Sequence, residues 1–88
     1  MGSSFAGRSA VVTGGASGIG RAVAFGLAAE GAAVAVADLN EEGAAAVARE
    51  LGTGGARAIA LRVDVSDPED AARMVRETVS VLGGLDKR

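Results

Sequence analysis

The stretch Thr13-Gly14-Gly15-Ala16-Ser17-Gly18-Ile19-Gly20 constrains this chain more than any other. It directly follows the apolar run Ala10-Val11-Val12, and it opens a helix-like pattern in which Ile19, Val23, Gly26 and Leu27 share one face. That order predicts a strand, a glycine turn and a helix. The first turn of a helix has free N–H groups and a partial positive charge, and glycines let a diphosphate come close to the backbone. Gly14 suits the sharp turn off the strand, Gly18 leaves no side chain between backbone and ligand, and Gly20 lets the helix start lie close to the sheet. The loop reads as a phosphate cradle; the plainer alternative is a tight turn that uses glycine for steric reasons alone.

The spacing of the next segment favours the cradle. A second apolar run, Ala33 to Ala37, ends in Asp38, close to the roughly 20 residues downstream at which an acidic group meets the ribose hydroxyls of a dinucleotide. A carboxylate there accepts two hydroxyl hydrogen bonds and repels a 2′-phosphate. Leu39 follows, and no Arg or Lys stands between Gly31 and Arg49 to neutralise that phosphate. NAD is therefore expected in preference to NADP. The competing reading of Asp38 is a turn residue ahead of a helix.

In chain order, residues 1 to 8 form a loose lead-in and Ser9 to Thr13 a short strand, whose near-continuous apolar character fits a parallel strand covered on both faces. The first helix is expected to run to about Glu30, with Gly31 as its left-handed stop. Strand two is Ala33 to Asp38. Asn40 caps a second helix in which Ala44, Val47, Ala48 and Leu51 repeat at helical spacing until Gly52, and Thr53-Gly54-Gly55 is loop. A third strand, Ala56 to Val63, carries Arg57 and Arg62 near its ends, which suits a sheet edge. After Asp64-Val65, either Ser66 or Asp67 caps a third helix with Pro68 in its first turn. Its buried stripe is expected to be Ala71, Met74, Val75, Thr78 and Leu82, with Met74 as core filler and Gly83-Gly84 as the stop. Arg21, Arg57, Arg62, Arg73 and Arg76 read as solvated surface.

This alternation predicts an α/β fold: a partial Rossmann-type, doubly wound parallel sheet, βαβαβα, with strand order 3-2-1 and the first two helices on one face. The third helix returns over the other face to start a fourth strand beside the first, at Leu85-Asp86, and nucleotides bind at that reversal. The 88 residues allow one small domain, marginal in stability even with a complete fold. A net charge of −2 argues against nucleic acid or an anionic membrane as the main partner. Without cysteine or histidine a zinc site is excluded in practice. The N-terminus Met1-Gly2-Ser3-Ser4-Phe5 lacks a basic region followed by a sustained apolar segment, so a soluble, cytoplasmic chain is expected. A P-loop would require Lys and then Ser or Thr after the last glycine, where Arg21-Ala22 stand. A methyltransferase would usually carry a carboxylate near the end of the first strand, where Val11-Val12-Thr13 stand.

Together these residues resemble the N-terminal part of the short-chain dehydrogenases/reductases. Thr13-Gly14, Gly18 and Gly20 are similar to that family's nucleotide fingerprint, Asp38 to its NAD-selecting acid, Asp64-Val65 to the pair that contacts adenine, and Gly84-Leu85-Asp86 to the lead-in to its fourth strand. The resemblance implies a dinucleotide site made by Gly14, Ser17, Gly18, Ile19, Gly20, Asp38, Leu39, Asp64 and Val65, and hydride transfer between NAD and an alcohol or ketone in the complete protein. The family's Ser-Tyr-Lys set has no counterpart here: tyrosine is absent, and the only lysine, Lys87, stands at the terminus. No catalytic residue is assigned, and the chain alone is expected to be inactive. A fragment, a truncated gene product and an altered reading frame all remain open. The alternative is a non-catalytic remnant that binds a nucleotide, or that associates with a related subunit through the unpaired edge of the first strand. Asp64, set among Ser66, Asp67 and Pro68, has its own plain alternative as a turn and capping residue.

Overall fold

A computed structural model of the chain describes residues 7–83. Six elements alternate along them: β1 (Ser9–Thr13), α1 (Gly18–Ala29), β2 (Ala33–Asp38), α2 (Glu41–Thr53), β3 (Ala58–Arg62) and α3 (Pro68–Leu82). The strands pair in parallel in the order β1-β2-β3, which is the expected 3-2-1 arrangement with β2 central. Registers such as Val11↔Ala35↔Ile59 and Val12↔Val36↔Ala60 bring alternate side chains to opposite faces.

One face is covered by α1 and α2. There Val12, Val34 and Val36 pack with Ala24, Ala44, Val47 and Leu51. The other face is covered by α3, where Met74 meets Ala37 and Val63, flanked by Val11 and Leu61. Val34 and Val36 have no exposed surface, and burying a side chain of that size stabilises the fold by about 1.5–3 kcal/mol. The hydroxyl of Ser9 donates to the carbonyl of Leu82 at 3.3 Å, so α3 ends beside the start of β1.

Several local expectations are corrected. Ile19 and Val23 are 84% and 45% exposed. The face of α1 turned to the sheet is instead the row of Ala24, Leu27 and Ala28, rotated by about 100°; small residues at Ala24 and Ala28 let the helix approach β2. Helix α2 passes through Gly52 to Thr53 and is capped by Gly54, whose φ is −82°; the left-handed residue is Gly55, at φ +99°. Strand β3 is shorter than the run from Ala56 to Val63. In α3 the cap is Asp67, one of the two expected, and Met74, Thr78 and Leu82 are buried as expected, but Val75 of the expected stripe is 42% exposed. Residues 1 to 6 of the lead-in, Gly84 and the fourth strand expected at Leu85-Asp86 lie outside the described residues.

Candidate functional site

The carboxyl ends of the three strands lie together, and the glycine loop rises from the first of them. Gly14 and Gly18 have φ values of +68° and +62°, the left-handed region that glycine tolerates. Ser17 is extended at the N-cap, and its hydroxyl makes no capping bond. The first helical bond runs from the Arg21 N–H to the Ser17 carbonyl at 3.3 Å. The amides of Gly18, Ile19 and Gly20 therefore meet no acceptor among the described residues, at the positive end of a twelve-residue helix. The space where a Gly18 side chain would project is open.

Gly20 is required for a neighbouring reason. A Cβ there would overlap the Gly14 carbonyl, 2.6 Å from its carbon, so the helix is pressed against the loop rather than against the sheet. Gly15 was not singled out by the sequence pattern. A Cβ on it would lie 2.8 Å from Val36 Cγ1 and 3.1 Å from the Val12 carbonyl, and its N–H donates to the Ala37 carbonyl at 3.2 Å. The double glycine was the available signal.

Asp38, at the end of β2, reaches this loop. Its Oδ2 accepts the Ala16 N–H at 3.1 Å and its Oδ1 accepts the Asn40 N–H at 3.0 Å. Asn40 in turn caps α2 by accepting the Gly43 N–H at 3.0 Å. Loop and carboxylate are thus in contact, and Asp38 also serves as the turn residue ahead of a helix. The Val63 N–H donates to the Asp38 carbonyl at 3.1 Å, which sets the end of β3 beside them.

Asp64 takes the turn role that its neighbourhood suggested. Its Oδ1 accepts the Ser66 N–H at 3.0 Å and the Ser66 hydroxyl at 2.6 Å, while its own N–H donates to Asp70 Oδ2 at 2.8 Å. The Ser66 hydroxyl, and then the Ser66 amide, hold the Asp64 carboxyl below its ordinary value. The Asp64 amide, and then Arg73, do the same for Asp70. Ile19, Val65 and Leu39 are 84%, 60% and 57% exposed, the most exposed large apolar residues described, and each follows a different strand.

Three of the arginines read as solvated surface do more than cover it. Arg57 donates to the Val81 carbonyl at 2.8 Å, at the end of α3. Arg73 pairs with Asp70 and Glu77 and donates to the Arg62 carbonyl at 2.7 Å. Arg21 pairs with Glu50 and lies over the Phe25 ring, 4.5 Å from its centre. A second concavity, at the amino ends of the strands, is lined by Arg8, Phe25, Glu50, Leu51, Gly54 and Arg57. Its Glu50 and Arg57 are already engaged in these contacts, and it lies away from the glycine loop. Among the described residues there is no acidic, cysteine or histidine cluster able to hold a metal, and no helix is long and apolar enough to cross a membrane.

The sequence family described as short chain dehydrogenase matches residues 8–87. The chain belongs to the short-chain dehydrogenases. It is 61% identical over 77 residues to an uncharacterized oxidoreductase of Mycobacterium tuberculosis, a match covering 88% of this chain and 31% of that protein. It is 44% identical over 82 residues to 2-dehydro-3-deoxy-L-rhamnonate dehydrogenase (NAD(+)) of a Sphingomonas species, covering 93% of this chain and 31% of that one. The crystal structure of a dehydrogenase/reductase from Sinorhizobium meliloti superposes with a TM-score of 0.89 at 52% identity, over 94% of this chain and 33% of the other. This short-chain dehydrogenase chain thus spans about a third of the length of the relatives it matches. Membership of the family implies a nicotinamide dinucleotide as cofactor.

Proposed function

We propose that this chain is the N-terminal, dinucleotide-binding part of an NAD-dependent oxidoreductase, which in the complete protein moves a hydride between NAD and an alcohol or ketone. The observation that carries the reading is the contact between the glycine loop and Asp38, 3.1 Å from the Ala16 nitrogen to Oδ2. It sets amides suited to a diphosphate beside a carboxylate suited to a ribose, at the strand ends where open α/β sheets bind their ligands. The residues present fit the cofactor. The amides of Gly18, Ile19 and Gly20 would receive the diphosphate, with Gly14 shaping the turn and the Ser17 hydroxyl available beside it; Asp38 would receive the adenosine ribose; Asp64 and Val65 would meet the adenine. Ile19, Leu39 and Val65 would give the ligand apolar walls, which explains their exposure. When bound, NAD supplies the hydride acceptor.

The preference for NAD over NADP is supported by charge. Asp38 is followed by Leu39, and the first turn of α2 carries Glu41 and Glu42, so a 2′-phosphate would meet three carboxylates and no cation. The chain has no tyrosine, and on its own it is expected to bind without turning over. The edge of β1 that is unpaired among the described residues, beside which α3 ends, is where a fourth strand or a related subunit would pair. Calorimetric titration of the chain with NAD and NADP tests the reading. Binding of NAD at least tenfold tighter than NADP supports it; equal affinity, or none for either, contradicts it.

A further inference from the structure

The dinucleotide reading gives Asp38 one task, toward the ribose. Its hydrogen bonds give it another that needs no ligand. Both carboxylate oxygens already accept backbone amides, one from the glycine loop and one from the turn into α2. The Ala16 amide is the last in the loop with a protein acceptor, and the amides from Ser17 to Gly20 meet none among the described residues. Ahead of it, the Gly15 amide is tied to the Ala37 carbonyl, one residue before Asp38. The end of β2 therefore holds two successive amides of the loop, and the second of these ties is a single side chain.

The carboxylate is itself held in place. The Asn40 N–H fixes Oδ1, and the Asn40 side chain is fixed by the Gly43 amide. Gly43 completes the arrangement because it lacks a side chain: a Cβ there would sit 2.5 Å from Asn40 Nδ2 and 3.0 Å from Ala16 Cβ. The start of α2 therefore packs directly on the residue whose amide Asp38 holds.

We infer that Asp38 is a positioning residue for the phosphate loop: its Oδ2, oriented by Asn40 and given room by Gly43, holds Ala16 so that the amides of Gly18 to Gly20 are in place before an anion arrives. The inference rests on the dinucleotide reading only for the ligand that the loop receives. A hydrogen bond to an ionised carboxylate is about twice as strong as a neutral one. In Asp38→Asn one of the two backbone amides faces an NH2 donor instead of an acceptor, so the loop loses its tie or the turn does.

The test uses the whole chain and reads the Ala16 amide by hydrogen exchange, with inorganic pyrophosphate as the anion probe. Asp38→Asn should speed exchange at Ala16 about tenfold, relative to core amides of β2 in the same sample. It should also weaken pyrophosphate binding. The sign matters, because removing a negative charge beside the loop would by Coulomb's law alone strengthen an anion's binding. Gly43→Ala leaves the charge in place and displaces Ala16, and it should produce the same two changes. Unchanged exchange at Ala16 in Asp38→Asn, or tighter pyrophosphate binding, overturns the inference. If the wild-type chain binds neither NAD nor pyrophosphate, the dinucleotide reading fails while Ala16 exchange still decides the positioning role.

Discussion

The α carbon of Gly20 faces the carbonyl of Gly14 so closely that a single methyl group at Gly20 would come within 2.6 Å of the Gly14 carbonyl carbon. Backbone stands on both sides of this contact, so neither partner can rotate away. Gly20→Ala should cost about 1–3 kcal/mol of stability, in the range of overpacked sites. It should also disturb the open amides on either side. Urea unfolding checks the first expectation as a lower midpoint with an unchanged slope.

The carboxyl end of α3 is tied to the amino ends of the two edge strands by Ser9 and Arg57. Arg57→Met keeps the aliphatic stem and removes the donors. The freed carbonyls of Val81 and Leu82 can turn to water, so the loss should be modest, about 0.5–1.5 kcal/mol. Faster amide exchange should appear in the last turn of α3 and not in its first, where Asp67 and Pro68 still fix the start.

Acid should loosen the turn between β3 and α3 before the sheet. Asp64 and Asp70 both lie below their ordinary value of 3.8 when folded. The unfolded chain therefore takes up protons first as pH falls through 3.8, and the stability these carboxylates contribute is present above that value and lost below it. Asp70→Asn should lower stability at neutral pH and flatten its dependence between about pH 5 and pH 2. The wild type and the variant should converge at the acid end, as unfolding midpoints across that range will show.

Leu39 stands 57% exposed beside Asp38. Leu39→Arg leaves the Asp38 bonds to Ala16 and Asn40 intact and adds a cation where a 2′-phosphate would lie. One charge-assisted bond corresponds to about tenfold or more in affinity. The ratio of NADP to NAD affinity should therefore rise about tenfold. Parallel titrations of both dinucleotides provide the check.

What the sequence made legible was local. Strand, glycine turn and helix follow one another without interruption, and Asp38 falls at a set interval, so the loop and its carboxylate could be placed by spacing. The cap at Asn40 was readable, and that at Asp67 was narrowed to it or Ser66, because capping is decided within three residues. What escaped depended on partners distant in the chain. The rotation of α1 was decided by Ala24 and Ala28 packing on β2, although Ile19 and Val23 are the larger apolar residues. The role of Arg57 required the end of α3, and that of Gly15 required Val36. Helix α2 ends among Gly52, Gly54 and Gly55, where composition alone does not select the stop. Asp64 illustrates a residue with two compatible uses: its side chain caps a turn, and that same turn is where the adenine is proposed to lie.

The most direct test of the central claim is an amide-resolved NMR titration of the chain with NAD. Shifts should concentrate on Gly14 to Gly20, on Asp38 and Leu39, and on Asp64 and Val65, all at the carboxyl ends of the strands. Shifts confined to the amino-end concavity around Gly31, Gly54 and Arg57, or no shifts at saturating NAD, would contradict the account.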